Sequence, residues 1–231
     1  MSGNTPSLIL VVDDEPSNVA LMRAVLRSAG HEVVSAQDGA TALQSARALR
    51  PQLILLDVMM PDIDGYTLCG QLKADESTRQ IPIIFVTGRD DVEAEARGFA
   101  LGAADYIVKP ISVPVVLARV GTHLALYGQR RHLEGMFRDV MEFAPDAFIL
   151  SDAQGRIVQI NARAEQVFGY RRQELQGRPA DMLQPARCHS PESGPNRSLT
   201  EGVGVLCLRK DGSEFPADVN VSPMSTNRGQ L

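Results

Sequence analysis

Residues 53–65 read Leu53-Ile54-Leu55-Leu56-Asp57-Val58-Met59-Met60-Pro61-Asp62-Ile63-Asp64-Gly65. Four aliphatic residues end on an acid, and a turn rich in acids, proline and glycine follows. A short apolar run without alternation, bounded by turn residues, suits a strand buried on both faces of a parallel sheet. The signature recurs on either side. Leu8-Ile9-Leu10-Val11-Val12 runs into Asp13 and Asp14, Ile83-Ile84-Phe85-Val86 into Thr87, and Tyr106-Ile107-Val108 into Lys109. Strands are expected at 8–12, 32–36, 53–57, 82–86 and 105–108. A helix starts near Pro16, which a first turn tolerates. It carries the stripe Val19, Met22, Val25, Leu26, Ala29 and stops at Gly30. Further helices are expected at 39–49, 65–74 and 90–101. Strand and helix in strict alternation predict an α/β fold, a right-handed doubly wound sheet of five parallel strands.

In such a sheet, ligands sit beyond the carboxyl ends of the strands. The spacing therefore sends three carboxylates (Asp13, Asp14, Asp57), one hydroxyl (Thr87) and one ammonium (Lys109) to a single crevice. Carboxylates suit a hard cation such as magnesium, which would offset their repulsion and screen an incoming phosphoryl group. Asp57 is then a candidate nucleophile, with Lys109 and Thr87 placed for the phosphoryl oxygens. Lys109-Pro110 is a candidate cis bond. Singly, each residue has a plain alternative: a helix cap, a structural threonine, a solvated lysine. Their joint occurrence after separate strands favours the site.

Bulk properties narrow the field. The chain has 231 residues, with 44% hydrophobic and 22% charged, as in a soluble globular protein. The net charge of −5 belongs to residues 1–127, which hold 15 acids and 10 Lys or Arg; residues 128–231 hold 13 of each. With no basic block, direct nucleic-acid binding is not expected. The cysteines Cys69, Cys188 and Cys207 are widely spaced, so neither zinc nor a disulfide framework is expected. No apolar run approaches the ~20 residues that span a bilayer and no signal-like start is present, so no membrane association and a cytoplasmic setting are expected.

Residues 113–143 read as one long helix with two apolar stripes in different registers. One is Leu117, Val120, Leu124, Tyr127; the other is Leu126, Leu133, Met136, Val140, Phe143. Gly121, Gly128 and Gly135 recur every seventh residue, for which close helix packing or chance are both open. From residue 145 a hairpin is expected, with strands 147–150 and 156–160 around the turn at 152–155, then a short helix capped by Asn161 and running to Phe168. Residues 178–200 read as loop. A second hairpin pairs 203–208 with 215–221 around 210–213.

The stretches Val11-Val12-Asp13-Asp14-Glu15-Pro16, 55–65, Val86-Thr87-Gly88 and Ala103-Ala104-Asp105-Tyr106-Ile107-Val108-Lys109-Pro110 resemble the receiver domain of two-component response regulators, over about residues 7–127. The resemblance implies a flavodoxin-like sheet of order 2-1-3-4-5. It implies that Asp57 accepts a phosphoryl group from a sensor histidine kinase or phosphotransfer protein. Magnesium would be held by Asp13 through water, by Asp14 and Asp57 directly, and by the Met59 carbonyl. Thr87 and Tyr106 would form the switch pair, and Lys109 would stabilise the phosphorylated form. Met59 and Arg89 flank the site. The rival reading, an aspartyl-nucleophile phosphatase or phosphotransferase, wants an acid two residues after the nucleophile, where this chain has Met59.

The second half resembles a PAS sensor domain over about residues 136–231. It does so through 147–152, through Asn161-Ala162-Arg163-Ala164-Glu165-Gln166-Val167-Phe168-Gly169-Tyr170, and through Arg209-Lys210-Asp211-Gly212-Ser213-Glu214-Phe215-Pro216-Ala217. The expected domains are a receiver at 1–127, its last helix extended over 113–143 as a linker, and a partial PAS domain at 144–231 without its final strand. Two strands would then keep open edges. The chain is accordingly expected to be part of a longer one, or its PAS half to be poorly ordered or completed by another chain. An output such as a histidine kinase or diguanylate cyclase is expected beyond Leu231, and none of the four histidines lies in a kinase-type phospho-acceptor motif. His189, the one haem-ligand candidate, reads as exposed, and His31, His123 and His132 read as surface or helix-packing residues. A homodimer through the last receiver helices and the linker helix is expected.

Overall fold

The computed structural model describes residues 6–88, 92–188, 202–222, 225–226 and 229–230. The chain divides into two units, Met1–His132 and Leu133–Leu231. In the first, five strands alternate with helices: β1 Leu8–Val12, α1 Pro16–Ser28, β2 Glu32–Ala36, α2 Gly39–Leu49, β3 Leu53–Asp57, α3 Gly65–Ala74, β4 Ile83–Thr87, α4 Val92–Ala100, β5 Asp105–Val108 and the start of α5, Val113–Glu142. The strands lie in the order β2-β1-β3-β4-β5, all parallel. This is the doubly wound parallel sheet expected from the alternation, in the flavodoxin-like order that the resemblance implies. Among these strands the one shift is in β4, which starts and ends a residue later than the expected 82–86, so Thr87 is the last strand residue rather than the residue after it; α4, expected at 90–101, ends at Ala100, and residue 90 lies outside the described residues.

Successive side chains of a strand point to opposite faces, and the sheet builds two cores on that rule. Leu10, Val12, Ile54, Leu56, Ile83 and Phe85 face Ala42 and Ala46 of α2 and Leu68 and Leu72 of α3. Ile9, Val11, Leu53, Leu55, Ile84 and Val86 face Met22, Val25 and Leu26 of α1 and Val116 and Val120 of α5. All five residues of β3 are buried, as its continuous hydrophobicity requires. Aspartates start two of the helices. Asp38 accepts from Thr41 N at 2.7 Å and Asp64 from Thr67 N at 2.6 Å, each satisfying an orphan donor of a first turn.

Helix α5 runs without a break. Its early stripe is used: Val116 and Val120 are buried, and Leu117 and Leu124 pack beside them. Among the described residues the later stripe is left uncovered: Leu126, Leu133, Met136, Val140 and Phe143 are all exposed. A Cβ at Gly121, Gly128 or Gly135 would meet nothing within 4 Å, so no helix packing within the described residues accounts for these glycines.

The second unit is built on local pairings. Strands β6 Ile149–Ser151 and β7 Ile157–Ile160 form an antiparallel hairpin. Its turn is held by Asp152 Oδ1, which accepts from Gln154 N and Arg156 N. Helix α6, Ala162–Phe168, is capped by Asn161 as expected and closes on Gly169 at φ 76°, a left-handed conformation that suits glycine. A one-turn helix α7, Arg172–Leu175, and two short 3₁₀ turns, Ala180–Leu183 and Ala186–Cys188, follow. The reading of 178–200 as loop missed both turns. Strands β8 Gly202–Leu208 and β9 Glu214–Val219 form the second hairpin, and β10 Ser225–Thr226 pairs with β11 Gly229–Gln230. Among the described residues β6 pairs only with β7 and β9 only with β8. A small core joins Ile157, Ile160, Ala164, Phe168, Leu175, Leu183 and Cys207.

Asn161 is the hub of this unit. Its Oδ1 accepts from Phe148 N at 2.9 Å and Ala164 N at 3.0 Å. Its Nδ2 donates to Met141 O at 3.0 Å and Asp146 O at 2.9 Å. The last turn of α5 is also held by Glu142, whose two oxygens each accept from Arg172 Nη2 at 2.9 Å.

Candidate functional site

At the carboxyl end of the sheet, β1 delivers Asp13 and Asp14 and β3 delivers Asp57. Oxygens of these three carboxylates all lie within 4.8 Å of one another. Asp13 and Asp57 are buried and Asp14 is exposed. Lys109, just past β5, reaches across β3 and β4 into this cluster. Its Nζ donates to Asp57 Oδ2 at 3.1 Å and to Asp13 Oδ2 at 3.3 Å. The Lys109–Pro110 bond is cis.

Three carboxylates face one ammonium. Burial pushes the Asp57 carboxyl above its ordinary range, with the Asp13 charge adding to the push. The Lys109 hydrogen bond and charge pull against it without overcoming it. Burial alone would lower the Lys109 ammonium, but its bonds and attraction to Asp57 and Asp13 hold it above its usual value. Carboxylate oxygens without imidazole or thiolate are the donor chemistry of a hard divalent cation, so the residues present fit such an ion.

Register places the remaining expected residues. Asp57 of β3 stands beside Val86 of β4, one residue before Thr87. Thr87 stands beside Val108, and its carbonyl accepts from Lys109 N at 2.7 Å. Thr87 is buried. Tyr106 lies opposite Phe85, half-buried, with Phe99 at its edge (6.0 Å between centroids) and the Arg119 guanidinium 5.3 Å from its ring centre. Met59 is 59% exposed beside the cluster, and its amide makes a long contact of 3.4 Å to Asp57 Oδ1. Arg89 and His189 lie outside the described residues.

Gly65 sets the close approach of α3 to the site. A Cβ there would lie 2.3 Å from the Asp57 carbonyl oxygen and 2.8 Å from Val58 Cα, so only glycine lets α3 start against the end of β3.

Two features escaped the sequence reading. Asn18, on the first turn of α1, donates to Asp13 Oδ1 at 3.1 Å. His123 Nε2 lies 3.0 Å from Asp105 Oδ2, and Arg119 pairs with the other oxygen of Asp105. The offset of five residues from Asp13 to Asn18 was the available signal for the first. The second joins a strand to a helix 18 residues on, a pairing no local pattern announces.

Residues 9–121 match the response regulator receiver domain family and residues 145–231 a PAS domain family. The response regulator PleD of Caulobacter vibrioides is 46% identical over 112 residues, 48% of this chain and 25% of PleD. A probable cyclic di-GMP phosphodiesterase of Vibrio cholerae is 42% identical over 116 residues, 50% of this chain and 26% of that protein. The chain thus spans about a quarter of the length of these curated relatives. The crystal structure of the chemotaxis protein CheY4 of Vibrio cholerae is 30% identical with a TM-score of 0.50, and the match covers 51% of this chain and 98% of CheY4. Through residues 9–121 the chain belongs to the response regulator receiver family of two-component signalling, and a PAS domain follows at 145–231.

Proposed function

We propose that this receiver accepts a phosphoryl group on Asp57 from a sensor histidine kinase or phosphotransfer protein. The observation that carries the reading is Lys109 Nζ bridging the buried Asp13 and Asp57 carboxylates at the carboxyl end of the sheet. Asp57 attacks phosphorus, the bond from phosphorus to the donor's imidazole nitrogen breaks, and the imidazole leaves with the electron pair. Asp14, Asp57 and the Met59 carbonyl, with Asp13 through water, would hold magnesium, which would supply charge neutralisation for the incoming group. Lys109 then pairs with the new phosphoryl oxygens, which bring roughly two negative charges. Thr87 turns to hydrogen-bond the phosphoryl group and Tyr106 turns into the space it vacates. Phosphorylation thereby shifts a two-state equilibrium. The support for Thr87 and Tyr106 in these roles is their register beside Asp57 and Lys109 and the family resemblance.

Helix α5, the linker, carries the signal to the PAS half. Two copies pair through the last receiver helices and the exposed stripe of this helix. The relatives with cyclic di-GMP or regulatory names hold the matched stretch within much longer chains, which favours an output module acting with this receiver. No described helix is long and apolar enough to cross a membrane. The free thiols Cys69, Cys188 and Cys207 support a reducing compartment.

The test is labelling with acetyl phosphate or a histidine kinase in the presence of magnesium. The wild-type chain takes up one phosphoryl group and Asp57→Asn takes up none. Labelling of the variant sinks the assignment of the acceptor. Loss of labelling on chelation, and its return with magnesium, checks the cation.

A further inference from the structure

We propose that Asn18 is a positioning residue for the acid cluster: it fixes which oxygen of Asp13 faces Lys109 and a bound divalent cation, and it holds Glu15 out of the site. The inference rests on the phospho-acceptor reading above and adds to it a determinant of cation affinity outside the five site residues.

The argument is a count of donors and lone pairs. Asp13 Oδ1 accepts from Glu15 N at 2.9 Å and from Asn18 Nδ2 at 3.1 Å. A carboxylate oxygen offers two lone-pair directions, so Oδ1 is saturated from the α1 side. Oδ2 is the oxygen left toward the crevice, and it is the one that meets Lys109. Rotating the Asp13 carboxylate would cost both bonds to Oδ1. The second hydrogen of the same amide goes to Glu15 Oε2 at 3.1 Å, and Ser17 Oγ donates to Glu15 Oε1 at 2.7 Å. Glu15 is thereby tied back to the first turn of α1. Without these ties, a fourth carboxylate next to Asp13 and Asp14 would be free to swing toward the three already gathered. One neutral amide thus separates two negative groups and assigns each its place.

The competing role is that this network only caps α1. Glu15, at the N-cap position, makes no side-chain cap bond, so the two roles predict different things. A cap changes the stability of α1; a positioning residue changes cation binding.

The experiment titrates magnesium into the full chain by calorimetry, with no phosphoryl donor present. For groups that orient a metal ligand, loss typically costs 10–100-fold in affinity. The expected result is a rise of about tenfold in the magnesium dissociation constant of Asn18→Ala. Asn18→Ser, which keeps one donor, should fall between it and the wild type. Ser28→Ala, which removes the Ser28 Oγ bond to Val25 O at the far end of α1 without touching Asp13 or Glu15, should bind as the wild type does. The half-saturating magnesium for acetyl-phosphate labelling should rise in parallel for Asn18→Ala, with the labelling rate recovered at saturation. Wild-type magnesium affinity in both Asn18 variants overturns the proposal and leaves Asn18 as a cap. If Asn18→Ala does not fold, Asn18→Ser against Ser28→Ala decides in the same way. Absence of magnesium binding in the wild type strikes the phospho-acceptor reading itself, so the two failures are distinct.

Discussion

Asp57 in the first unit and Asn161 in the second are both buried polar residues, 4% and 1% exposed, and their surroundings treat them in opposite ways. Asn161 meets two donors and two acceptors, so its amide is fully satisfied and joins three segments. Asp57 shares a single ammonium with Asp13, next to a third acid. A satisfied polar hub stabilises a small domain that has few apolar contacts to spend. An under-compensated carboxylate costs stability, and it persists where chemistry uses the charge. The two units differ on the same axis as wholes. The first closes a five-stranded sheet between two apolar layers, and the second joins separate hairpins through a small core, caps, turns and ion pairs.

The comparison can be broken by substitution, reading each unit separately by hydrogen exchange on its own strands. The largest effect is expected at Gly65→Ala. The new methyl would overlap the backbone of Asp57 and Val58, costing about 3 kcal/mol of stability in the first unit and much of the phospho-acceptor activity with it. Asn161→Ala should cost the second unit about 2 kcal/mol, through lost capping and orphaned backbone groups. A negligible change there would mean that the hub is not what holds the unit.

Asp57→Asn should have the opposite sign. Without divalent cation it should stabilise the first unit by about 1 kcal/mol, because it removes one of three crowded charges while Lys109 keeps Asp13. The pH dependence follows from the raised Asp57 value. A carboxyl raised in the folded state favours folding fully below its ordinary range near ~4. That contribution is lost as pH rises through the folded value. The advantage of Asp57→Asn over the wild type should therefore be present at neutral pH and shrink as pH falls through the folded value. A constant advantage across that range contradicts the assignment. The smallest effect on folding, under about 0.5 kcal/mol, is expected for Leu133→Glu on the exposed stripe. Sedimentation should nonetheless show a weakened dimer, if the stripe is where two copies meet.

The sheet was legible because strands buried on both faces must be apolar throughout, and a polar residue at the end of each run marks the point where the strand leaves the core. Residues 53–57 carry that rule in full. Helices with one buried stripe, such as α1, were legible by their 3.6-residue period. What was not legible is short or reciprocal. Helix α7 has a single turn and no period to read. The 3₁₀ turns at Ala180–Leu183 and Ala186–Cys188 sit in a stretch whose Pro and Ser content suggested only loop. The boundary of β4 moved by one because Thr87 continues the ladder that the hydrophobic run alone ended.

The sequence by itself determined the order of strands and helices, the chemical type of each residue at a strand end, and the cap Asn161, since all of these depend on near neighbours. Only the tertiary structure decided that Lys109 lies between Asp13 and Asp57, that Asn18 takes one oxygen of Asp13 and leaves the other, and that the later stripe of α5 is exposed among the described residues. Those outcomes depend on the distance between groups far apart along the backbone, and a chain acquires such distances only when the sheet that spaces them has packed.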